Sequence, residues 1–313
     1  MQAVPRRLAI SGGLGGLAAA VAGCGNPLAV SSTTPAGPPA TTQGPSAAPT
    51  PSARQTERPP PPGPLPGVAT WTGVDHVSQD LADSGARWYY TFAPHHHGIE
   101  SPPGCEFVPM IWGRPDLTDA ALAQAASLGT SLLAFNEPLV RTQAHMSVQE
   151  ALTAWPRLQE TGLHLGAPAV AAGADRPGGW LDRFMSGVRG RKYRVDFLPL
   201  HWYIRPRVET DFSISRAVDD LHDYLKASYD RYNLPIWLTE FSLISWHGAG
   251  ARSRSSSLQA EFLDASAAMM TTLPYVHRWA WFSLTPKPYA PTVALYDDDG
   301  RTRSVGRQFR RIS

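Results

Sequence analysis

The chain has little cysteine and little charge. Two cysteines among 313 residues cannot build a disulfide framework, so the fold must rest on a hydrophobic core. Charged residues make up 17% and the formal net charge is +2, with no long basic block, so nucleic acid is not the expected partner. The arginines from Arg301 to Arg311 read as a solvated face near the C-terminus. No GxSxG, CxxC, P-loop or HExxH pattern is present, which removes most nucleophile-elbow, thiol-redox, phosphate-cradle and zinc-protease chemistries.

Aromatic residues are missing from one whole region. Residues 26–66 hold 13 of the 30 prolines, mixed with Ser, Thr, Ala and Gly, and no aromatic. Such a stretch cannot bury enough apolar surface to offset its ordering entropy and is read as a disordered spacer. Before it, Arg6 and Arg7 precede the small-residue apolar run Leu8 to Gly23, the pattern of a signal peptide. That run ends in Val21-Ala22-Gly23-Cys24, which resembles a bacterial lipobox in which Cys24 is lipidated. The expected organisation is a signal peptide over 1–23, a lipidated Cys24 with its linker over 24–66, and one catalytic domain over 67–313. This predicts an extracytoplasmic protein, tethered to the membrane by a lipid or, as the alternative, secreted after cleavage near the same point; a monomer is expected. The remaining cysteine, Cys105, then has no partner and reads as a small apolar filler.

Beyond the spacer, eight short apolar runs recur: 68–71, 86–92, 106–113, 132–138, 163–170, 196–203, 235–242 and 277–284. They are apolar almost throughout, as strands buried on both faces must be. Amphipathic stretches lie between them at 117–129, 148–162, 178–188, 216–233 and 257–273, with Thr118 as a candidate N-cap and Gly129 as a stop. Strand–helix alternation implies parallel βαβ units, and eight units in 247 residues imply a closed (β/α)8 barrel of the α/β class. Asp299-Gly300 suggests a two-residue hairpin turn in the tail.

In such a barrel the chemistry sits at the C-terminal strand ends. The fourth run ends Phe135-Asn136-Glu137-Pro138 and the seventh ends Leu238-Thr239-Glu240-Phe241. The two glutamates are 103 residues apart, about three βα units, so their strand ends can face each other across the mouth. Two carboxylates flanking a cleft are what glycosidic-bond cleavage needs: one protonated to release the leaving oxygen, the other ionised to attack or to activate water. Asn136 beside the first is placed to meet a sugar hydroxyl. His201, Trp202 and Tyr203 on the sixth run, Trp281 on the eighth, Trp112 on the third and Tyr90 on the second are candidate sugar contacts, because aromatic faces stack on the apolar side of sugar rings. The triplet His95-His96-His97 cannot converge on one point from an extended chain, so no metal is expected.

The ordered set WYYTF, FVPMIWG, LLAFNEP, HWY, WLTEF and WAWFS resembles glycoside hydrolase family 128 over essentially residues 67 to 313. That resemblance implies a retaining (β/α)8 enzyme acting on β-1,3-glucan without a cofactor. It makes Glu137 the general acid/base, Glu240 the nucleophile and Asn136 a contact to the sugar beside the cleaved bond. Two alternatives stay open at this point: a related hydrolase acting on another polysaccharide, and a glycan-binding lipoprotein that no longer turns over.

Overall fold

The computed structural model describes residues 63–247 and 250–313. The leader, the lipobox with Cys24 and most of the spacer lie outside the described residues. The eight expected strands are all present: β1 (Leu65–Ala69), β2 (Trp88–Tyr90), a third in two pieces, β3 (Glu106–Phe107) and β4 (Met110–Ile111), then β5 (Ser131–Asn136), β6 (His164–Ala169), β7 (Leu198–Ile204), β8 (Ile236–His247) and, after a short β9 (Gly250–Ser253), β10 (Val276–Phe282). Parallel pairing runs from β3 through β2, β1, β10 and β8 to β7, and from β4 through β5 to β6. A parallel bridge between Gly166 and Phe197 joins β6 to β7, and β3 and β4 are continuous in sequence, so the ring closes as a (β/α)8 barrel.

Three details differ from the sequence reading. The third strand breaks at Val108-Pro109 because proline has no N–H for the ladder. The flanking sheet still holds it, through Val108 N–H to Tyr89 O at 2.9 Å and Leu133 N–H to Pro109 O at 3.0 Å. The first strand begins at Leu65, two residues inside the expected linker, because the carbonyls of Leu65 and Pro66 accept from the Trp88 indole and the Arg87 N–H. The tail does not form a two-residue hairpin. A single bridge pairs Tyr296 with Thr302, and the loop between closes on the Asp297 side chain, which accepts from the N–H groups of Asp299 and Arg301.

The helices stand outside the ring: α1 (Val77–Ser84), α2 (Asp119–Leu128), α3 (Val148–Gln159), α4 (Trp180–Arg191), α5 (Pro206–Thr210), α6 (Ile214–Tyr232), α7 (Ser256–Thr271) and α8 (Ser304–Ile312). Their starts follow from capping. Thr118 accepts the Ala121 N–H, and Ser147 with Glu150 forms a reciprocal capping box. Two apolar layers result. One lies between strands and helices and contains Phe135, Trp155, Trp202, Phe241, Phe262 and Trp281. The other fills the barrel and contains Trp88, Tyr90, Phe197, Tyr203, Trp237 and Phe282. Packing inside the ring is tight: a Cβ on Gly67 would meet the Trp88 indole at 2.3 Å. Cys105 is a buried free thiol, pushed up to about 12 by burial, in keeping with a filler.

Candidate active site

Glu137 follows β5 directly, and its position depends on an irregular strand end. The register of β5 against β6 shifts twice between Leu132 and Asn136. Phe135 and Glu137 both adopt left-handed backbone, with φ of 49° and 44°. Non-glycine residues pay about 1–3 kcal/mol for such conformations, which persist where the surroundings over-determine them. The surroundings here do so. Phe135 turns outward onto Trp155 of α3, while the N–H groups of Asn136 and Glu137 are held by Trp112 O at 2.8 Å and Ala169 O at 2.7 Å. After Pro138 the chain turns back, with Ala144 N–H donating to Asn136 O and Gln143 accepting from the Asn136 amide at 3.2 Å.

Glu240 lies in β8, where it pairs in register with His201 of β7. Glu137 and Glu240 are 1% and 4% exposed, far below what unpaired charges tolerate. His201 stands between them, with Nδ1 at 3.0 Å from Glu137 Oε1 and Nε2 at 3.5 Å from Glu240 Oε1. Tyr203, on the same face of β7, donates its hydroxyl to Glu240 Oε2. One oxygen of each carboxylate and one nitrogen of His201 lie within 4.8 Å of one another. The trio has donor types a cation would accept. Its imidazole, however, directs one ring nitrogen at each carboxylate, and would have to turn to share an ion with them.

Beneath this cluster, the Tyr90 hydroxyl donates to Thr239 O at 3.0 Å inside the barrel. Burial, then the charges of Glu240 and Glu137, hold that phenol well above its ordinary range. It acts as a protonated donor in the floor of the site. Trp112 is half-buried near Asn136, and among the buried polar atoms here without a hydrogen-bond partner are the Trp112 indole N–H and Asn136 Oδ1.

The structure therefore brings together Glu137, Glu240, His201, Tyr203 and Tyr90, with Asn136 and Trp112 alongside. It takes Trp202 and Trp281 out of the site. Strand alternation turns Trp202 outward, onto Phe262 of α7, with its indole donating to Asp220 of α6 at 2.9 Å. Trp281 likewise faces the helices, against Phe241 and Phe262, and its indole donates to Val293 O at 2.7 Å. The residue next to it, Phe282, faces inward instead, 5.9 Å from Tyr203 between ring centroids. Sequence reading also missed Gln143, and missed that β8 runs on past the barrel rim into a hairpin with β9, bringing Trp246 edge-on to Tyr203 at 5.6 Å. A strand-like run past Glu240, as far as Trp246, was the available signal.

A closed (β/α)8 barrel with two buried carboxylates converging at the C-terminal strand ends defines a class: the glycosidase type of barrel hydrolase. Residues 67–309 match the glycosyl hydrolase catalytic core, and the chain belongs to glycoside hydrolase family 128. A solved subgroup I endo-β-1,3-glucanase from Amycolatopsis mediterranei is 48% identical, with a TM-score of 0.74, covering 80% of this chain and 100% of that one. A subgroup II endo-β-1,3-glucanase from Sorangium cellulosum is 28% identical, with a TM-score of 0.65, covering 80% and 98%. Alkali-sensitive linkage protein 1 of Schizosaccharomyces pombe is 29% identical over 233 residues, 69% of this chain, and the match spans 38% of that protein's length.

Proposed function

We propose that this glycoside hydrolase is a retaining endo-β-1,3-glucanase, with Glu240 as nucleophile and Glu137 as general acid/base. The observation that carries the reading is the carboxylate pair, an oxygen of each within 4.8 Å of the other. Retaining enzymes keep their carboxyls about 5–5.5 Å apart, whereas inverting ones need about 6.5–9.5 Å to admit water. The Tyr203 hydroxyl on Glu240 suits the group that must be ionised to attack. The Amycolatopsis enzyme has been solved with laminaritriose and laminaripentaose, and its solved complexes include alanine replacements at either of two glutamates, which supports both the glucan and the two-carboxylate scheme.

In the first step, Glu240 attacks the anomeric carbon as the bond to the leaving oxygen breaks, and Glu137 gives that oxygen its proton. In the second, Glu137 takes a proton from water, the water oxygen attacks the same carbon, and Glu240 leaves as carboxylate. The unpartnered Asn136 Oδ1 and Trp112 N–H serve the sugar hydroxyls. Purified protein incubated with a β-1,3-glucan should release new reducing ends whose first-formed anomer is β, read by proton NMR. An α-anomer first would overturn retention. Binding without new reducing ends would overturn the enzyme reading. Glu240→Ala should abolish the signal.

We also propose that Cys24 carries a lipid and tethers the enzyme outside the cytoplasm. The Val21-Ala22-Gly23-Cys24 sequence supports this. Cys24→Ala should move the protein from the membrane fraction to the soluble one.

A further inference from the structure

An aromatic wall leads away from Glu240. Tyr203, which donates to that carboxylate, meets Phe282 at 5.9 Å, and Phe282 meets Trp71 at 5.8 Å between ring centroids. Trp71 follows β1 by two residues and so stands at the C-terminal end of the barrel, on the same face as the carboxylates. The Lys287 ammonium lies over its ring, with Nζ 3.8 Å from the ring centroid. Lys287 belongs to the Pro-rich segment after β10, which also sets Tyr289 against Trp246 at 5.6 Å. The segment thus spans from the wall of β1 to the β8–β9 hairpin.

The Lys287 ammonium has one partner among the described residues, the Trp71 ring. Among the described residues no carboxylate pairs with it, and it is half-buried. Burial alone lowers its ammonium to about 8. A cation–π contact offsets part of that penalty, but it engages only one side of a group with three N–H donors. A desolvated, unpaired ammonium at the lip of a sugar cleft has donors to offer to a ligand.

We propose that Lys287 is a specificity-determining residue that donates hydrogen bonds to the hydroxyls of a glucan ring distant from the cleaved bond, with Trp71 as the seat that holds its ammonium in place. This rests on the β-1,3-glucanase reading and extends it to chain length. A long chain reaches the ring contacts two steps beyond Tyr203; a chain too short to extend that far gains nothing from Lys287.

The test compares the purified enzyme with Lys287→Met, which keeps the stem and removes the donors, on the β-1,3-linked glucose hexamer and trimer. Removing a charged hydrogen-bond donor should raise KM on the hexamer about tenfold while kcat changes less than about twofold, because the lost binding is shared by ground and transition states. On the trimer both constants should change less than about twofold. Thermal stability should stay level or rise, since a half-buried ammonium without a carboxylate partner is removed; a merely structural lysine would lower stability and impair both substrates alike. Equal losses on both lengths, or no loss on either, would overturn the inference and leave the glucanase reading intact. A wild-type enzyme that releases no reducing ends from any β-1,3-glucan would remove both.

Discussion

The barrel wall carries buried aromatic side chains on both of its faces. They differ in what their polar atoms do. On the outer face the indoles of Trp155, Trp202 and Trp281 are all engaged inside the protein, by Arg194 O, Asp220 and Val293 O. At the inner mouth, polar groups converge on two carboxylates, and the Trp112 N–H and Asn136 Oδ1 have no partner. Residue type and burial do not separate wall from site. Unsatisfied polar atoms occur in both layers, Tyr224, Ser228 and Ser266 of the helices included, so the site is marked by such atoms lying beside two converging carboxylates.

The largest break in this comparison is Glu240→Gln. It keeps volume and shape on the inner face, so the fold should survive with an unchanged circular dichroism spectrum, while kcat on β-1,3-glucan should fall by about 10⁴-fold or more. On the outer face the signs reverse. Trp281→Ala removes a buried indole and opens a cavity, so stability should drop by about 3–5 kcal/mol in denaturant titration. At temperatures where the variant remains folded, kcat should stay within about twofold of wild type. A large kcat loss in folded Trp281→Ala would return that side chain to the site.

That division explains which parts were legible from the sequence. The eight apolar runs, the helices at 117–129 and 257–273 and the two rim glutamates could be read because strand and helix periods constrain them over many residues. The assignment of Trp281 could not. Whether its ring or that of Phe282 faces the lumen depends on one residue of register, and β8 and β10 carry bulges that shift it. Trp202 was legible, because strand alternation already sets it on the face opposite His201 and Tyr203. The break at Pro109 was visible in composition but not in consequence. The left-handed turn at Glu137 left no sequence mark, because glutamate is not a residue that advertises positive φ.

A smaller effect sharpens the inner face itself. Tyr203→Phe removes the hydroxyl that Glu240 accepts and leaves the ring against Phe282 and Trp246 in place. Loss of one hydrogen bond to a charged group should lower kcat/KM by about 10- to 100-fold. Stability should change far less than in Trp281→Ala. If Tyr203→Phe matched Glu240→Gln in effect, the hydroxyl would be acting on substrate and not only through the carboxylate.

The smallest expected effect concerns the rim, and its sign follows from Lys287. Burial lowers that ammonium from 10.5 to about 8, so the folded state favours the neutral amine more than the unfolded chain does. The penalty on folding is complete below about pH 8 and is relieved as pH rises from about 8 toward 10.5. Wild type should therefore gain stability relative to Lys287→Met across that window, seen as a melting-temperature difference that moves in favour of wild type with pH. A difference that stays flat would mean that the ammonium is solvated at the rim, where it would resemble the exposed arginines of α8 more than the carboxylates inside.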